Sequence, residues 1–66
     1  MDFKEKAIIR LQHWIDHNKH HHEEYELFAE QLEAAGKEKS ARSIREMMDY
    51  TQKSTECMEE ALKNLD

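Results

Sequence analysis

The sequence predicts an all-α fold in which two long helices double back as an antiparallel helical hairpin. Three observations point there. The chain has no proline and one glycine. Good helix formers such as Glu, Lys, Ala and Leu dominate it. Apolar residues recur at heptad spacing on both sides of the glycine. The 66 residues make one domain, 1–66.

The first helix is predicted over about residues 3–35. Its a/d series is Ile8, Leu11, Ile15, Asn18, His22, Tyr25, Ala29 and Leu32, apolar at six of eight positions. The turn is placed at about 36–38, inside AAGKEKS, because Gly36 alone enters a left-handed cap at little steric cost. Ser40 is one candidate cap for the next helix, and a start nearer Lys37 with Glu38 in the first turn fits equally. The second helix is predicted over about 38–65. Its a/d series, Ala41, Ile44, Met48, Thr51, Thr55, Met58, Leu62 and Leu65, is again apolar at six of eight positions.

Folding the chain at Gly36 sets the two series face to face, with paired residue numbers summing to 73. Leu32 then meets Ala41, Tyr25 meets Met48 and Ile15 meets Met58. The same rule sets Asn18 opposite Thr55 and His22 opposite Thr51, so the polar exceptions fall in adjacent layers at mid-length. Asn18 reads as a register-fixing polar residue and His22 as a hydrogen-bonded core histidine opposite Thr51. Met47, Met48 and Met58, at g, a and d, read as core packing.

The g positions Trp14, His21, Phe28, Met47 and Ala61 widen the apolar stripe beyond a two-stranded seam. A lone hairpin leaves Trp14, Phe28 and Met47 in water. It also buries too little apolar surface to offset ordering about 60 residues at roughly 1.5 kcal/mol each. Two hairpins are therefore expected to pair as a homodimeric four-helix bundle, with Trp14 as an interface anchor.

Composition narrows the function classes. The net charge of −5 comes without a concentrated basic face, which argues against nucleic acid. No apolar run is long enough to span a bilayer, and the start MDFKEKAIIRLQHW lacks signal-peptide character. The single cysteine, Cys57, forms no internal disulfide. The expected location is cytoplasmic. No glycine-rich phosphate loop or HExxH motif is present, so no catalytic or cofactor-binding residue is expected and an enzyme is the least expected class.

All five histidines fall within HWIDHNKHHHEEY, residues 13–25. At 100° per residue, His13, His17, His20, His21 and Glu24 share one arc of about 100°, while His22 points elsewhere. His13/His17 and His17/His21 are i,i+4 pairs, and His20/Glu24 repeats that spacing with a carboxylate. Paired imidazoles on one helix face suit a divalent transition metal, Ni or Zn foremost. The ends of the row His13, His17, His21 are about 12 Å apart along the axis, too far for one ion. Either two ions share the row, or one takes a subset and completes its shell from another helix. Glu56, Cys57 and Glu60 are the second-helix candidates. An exposed histidine row also binds nickel or zinc adventitiously, so spacing alone leaves both readings open.

The residues His13-Trp14, His17-Asn18 and His21, followed by Glu24 and Tyr25, resemble the HW-x-x-HN-x-x-H signature of a small, poorly characterised bacterial and archaeal helical domain. Such domains occur alone or joined to metal-handling proteins, including relatives of the small nickel-binding accessory proteins of carbon monoxide dehydrogenase maturation. The resemblance implies that His13, His17 and His21 form the metal row, with the weight on His17 and His21. It also implies a metal-handling protein as a possible partner. His20 and His22 stand where the pattern has acidic or small residues, which puts a site built on the trio His17, His20 and His21 in doubt.

Three readings follow. The first is a dimeric metal-binding module whose affinity falls as pH drops through about 6.5, where imidazole protonates. The second is a scaffold whose histidines are incidental. The third is a pH-responsive dimer, with His21 and His22 at the seams.

Overall fold

A computed structural model describes residues 2–65. They form α1 (Phe3–Ala34) and α2 (Glu38–Lys63), packed antiparallel in a rod of 51 × 16 × 10 Å. The helical hairpin is thus the fold of the chain.

Each helix end follows from local chemistry. Asp2, in extended backbone, caps α1 by accepting the Glu5 amide on Oδ1 at 2.9 Å. At the other end the Gly36 amide donates to the Glu33 carbonyl at 3.0 Å and the Lys37 amide to the Leu32 carbonyl at 2.8 Å. This closed pair is a Schellman motif, and it requires a left-handed residue, which Gly36 supplies with φ 77°. Ala35 becomes the cap, so α1 ends one residue before the expected boundary.

α2 begins at Glu38, with Lys37 at the N-cap and no side-chain capping bond. Of the two starts the sequence leaves open, a Ser40 cap and one nearer Lys37, the chain takes the earlier. The chain re-enters a helix directly after the Schellman turn, where the Lys37 carbonyl takes the Ala41 amide at 3.0 Å, so Ser40 already lies in the first turn. Glu38 offers its charge to the exposed amides there. α2 stops at Lys63 rather than 65, because Leu65 turns its amide to the Leu62 carbonyl in a tightened final turn.

The buried residues Ile15, Ala29, Ala41, Met48 and Thr55 all sit at a positions. The d residues are half-buried, which marks a seam closed more tightly on one side than the other. The seam's polar layer is real: Asn18 Nδ2 donates to Thr55 Oγ1 at 3.3 Å, and Thr55 Oγ1 donates to the Thr51 carbonyl at 3.0 Å. The His22–Thr51 pairing is not. Thr51 donates its hydroxyl to the Met48 carbonyl of its own helix at 2.9 Å, and His22 Nδ1 is left buried with no partner. A threonine hydroxyl reaches a carbonyl one turn back on its own helix more easily than a ring across the seam.

The e positions carry ion pairs between the helices. Arg45 of α2 pairs with Glu26 at 2.9 Å and Glu33 at 2.8 Å, and Lys19 pairs with Glu59 at 3.5 Å. Hydrogen bonding from Arg45 holds the Glu33 carboxyl below the usual carboxylate range and pushes the guanidinium's own proton affinity up. These groups are solvated, so each pair contributes little stability. Among the described residues, no helix is long and apolar enough to cross a membrane.

Candidate metal centre

The histidines occupy the middle of α1, a continuous helix with no proline or glycine to disturb the 100° step between residues. That regularity brings His17 and His21 together: their Nε2 atoms are 3.1 Å apart, with ring centroids at 4.3 Å and planes at 67°. Two imidazole nitrogens that each bind one ion at about 2.0–2.1 Å come to a similar separation. The same contact is an N–H···N hydrogen bond whenever one ring carries its proton on Nε2.

His21 is the hub of the cluster. Its Nδ1 lies 3.6 Å from Glu24 Oε1, and its ring stacks on Tyr25 with centroids 5.8 Å apart and planes at 11°. At 3.6 Å the carboxylate is beyond hydrogen-bond reach of Nδ1 and acts on His21 as a nearby negative charge. The same Glu24 Oε1 lies 3.1 Å from His20 Nε2. Glu24 therefore engages His20, whose Nε2 points at the carboxylate rather than at the pair, and stands near His21.

His13 stands apart. Its ring stacks parallel on His17, with centroids 6.0 Å apart and planes at 10°, so the in-plane lone pairs of the two rings do not converge. His22 faces the seam. Among the described residues, no three His, Cys, Asp or Glu side chains are gathered closely enough to hold a metal ion. Glu56, Cys57 and Glu60 are exposed on α2 and do not supply the missing ligands within one chain. What one chain brings together is a single pair of imidazole nitrogens, those of His17 and His21.

A comparison with known protein families places the chain. It belongs to the DUF8180 family, a domain of unknown function, whose model matches residues 7–65. In this DUF8180 domain the matched segment holds the entire histidine row, the turn and α2. No curated protein and no solved structure matches the chain.

Sequence reasoning missed two parts of the site. The i,i+3 step from His21 to Glu24 and the i,i+4 step from His21 to Tyr25 were legible as spacings. Only rotamers reveal that one carboxylate oxygen lies near two rings and that Tyr25 backs His21.

Proposed function

We propose that this protein is a non-enzymatic binding module for a divalent transition metal, Ni(II) or Zn(II), held by the His17 and His21 Nε2 atoms. The observation that carries this reading is their 3.1 Å separation, with the His21 ring backed by Glu24 and Tyr25. Glu24 stands near His21 and engages His20. His13 lies beside the pair, its ring stacked on His17.

Two imidazoles leave several positions of an ion to water or to a partner's side chains. Such a site gives up its ion by ligand exchange, which suits a carrier that hands metal to a metal-handling protein better than a permanent structural site. The histidine signature's resemblance to nickel-associated domains favours the same reading.

Calorimetric titration with Ni(II) and Zn(II) tests it. The expected result is saturable uptake at a defined stoichiometry, lost in the double variant His17→Ala/His21→Ala. Weak, ill-defined uptake that the double variant leaves unchanged overturns the proposal.

A further inference from the structure

The two edges of the hairpin differ in kind. The e edge is closed by Arg45 with Glu26 and Glu33, and by Lys19 with Glu59. The opposite edge is formed by the g residues Ala7, Trp14, His21 and Phe28 of α1, with Met47, Ala61 and two serines of α2. In a chain whose residues are 38% charged, this edge carries no Asp, Glu, Lys or Arg. It nevertheless leaves Trp14 and Phe28 each 48% exposed. A continuous uncharged strip with two half-exposed aromatic rings is the usual mark of a surface that is covered in the working molecule.

The hairpin exposes 5298 Å², more than the roughly 4,450 Å² of a compact chain of its 8.0 kDa, because it is a thin rod with no second layer. The flat face of the rod, 51 Å long and 16 Å wide, has a footprint close to the roughly 800 Å² that each partner buries in a standard interface.

We infer that this g face is covered by a second copy of the chain, giving a four-helix bundle with Trp14 and Phe28 in the core between hairpins. The g positions themselves carry no charge, and the charges that flank them are of both signs, Arg10 over the Trp14 ring at 6.0 Å and Glu24 at 3.6 Å from His21, so a two-fold contact between identical faces can set one against the other. The net charge of −5 per chain falls on the e edge and the outward faces, so added salt screens repulsion between copies and tightens their association.

Sedimentation equilibrium of the full chain with a metal chelator present tests this apart from any metal. The expected mass is twice 8.0 kDa, unchanged or more persistent on dilution as salt is raised. Trp14 is the only tryptophan, so its emission reports the face without any substitution: it shifts to the blue as concentration rises. The variant Trp14→Glu/Phe28→Glu halves the mass, whereas Leu27→Glu, on the far side of α1, leaves it doubled. A monomeric mass with water-exposed Trp14 emission across the micromolar range overturns the inference, as does a dimer that Leu27→Glu dissolves and Trp14→Glu/Phe28→Glu does not. Because chelator is present throughout, neither outcome bears on the metal site, and failed metal uptake does not bear on the dimer.

Discussion

Asn18 donates to the Thr55 hydroxyl across the seam at 3.3 Å, and Thr55 is 3% exposed. Thr55 in turn donates its hydroxyl to the Thr51 carbonyl at 3.0 Å, so the layer is a directed chain of donors. Thr55→Val breaks it and strands the Asn18 amide in a partly buried position, at a cost of about 1–2 kcal/mol. Replacing both partners, Asn18→Leu with Thr55→Val, removes the stranded group and is expected to recover stability to wild type or above. Losing the polar layer inside the seam should then loosen the register and broaden the amide spectrum. Urea unfolding at fixed protein concentration and a two-dimensional amide spectrum measure the two effects.

His22 Nδ1 is a buried nitrogen with no partner. Such a group forfeits about 1–3 kcal/mol of desolvation without compensation. His22→Leu is therefore expected to raise the midpoint of thermal unfolding. Because His22 points away from the His17/His21 pair, the same variant should leave metal titrations unchanged. A lower midpoint would mean that the ring's packing outweighs its stranded nitrogen.

The architecture was readable because period and punctuation are coarse signals. The heptad series placed every a and d residue in the seam, and a single glycine fixed the reversal. The rule pairing numbers that sum to 73 put Asn18 against Thr55. It failed one layer away at His22, where the choice lay between two acceptors for one Thr51 hydroxyl, a matter of rotamers and not of register. The histidine arc was likewise legible as an arc. That it resolves into a close pair, a stacked neighbour and a ring turned to Glu24 depends on torsions that no spacing rule contains.

Arg45 bridges Glu26 and Glu33, two turns apart on α1, and its hydrogen bond holds the Glu33 carboxyl below its ordinary range. A depressed folded-state value means that the pair's contribution is present above the unfolded-state carboxylate range and is lost as pH falls through the folded value. Acid titration followed by side-chain carboxyl resonances should show Glu33 protonating below the ordinary carboxylate range. In Arg45→Gln it should return towards the ordinary carboxylate range. The variant's unfolding midpoint should differ little from wild type, since exposed pairs contribute little.

His17 and His21 differ from the other histidines in having nitrogens 3.1 Å apart, and single variants turn that geometry into an ordered series. His17→Ala or His21→Ala leaves one imidazole and is expected to abolish saturable Ni(II) uptake. Glu24→Gln keeps both ligands but loses the charge behind His21 Nδ1, and should weaken binding about 10–100-fold, the usual cost of removing a ligand's supporting carboxylate. His13→Ala removes a ring stacked parallel to His17, and His20→Ala a ring turned to Glu24, so each should leave the affinity near wild type. Calorimetry on the five single variants gives the ranking. If His20→Ala loses as much as His17→Ala, the ion sits in the trio His17, His20 and His21. That outcome would require the His20 ring to leave Glu24 when metal arrives.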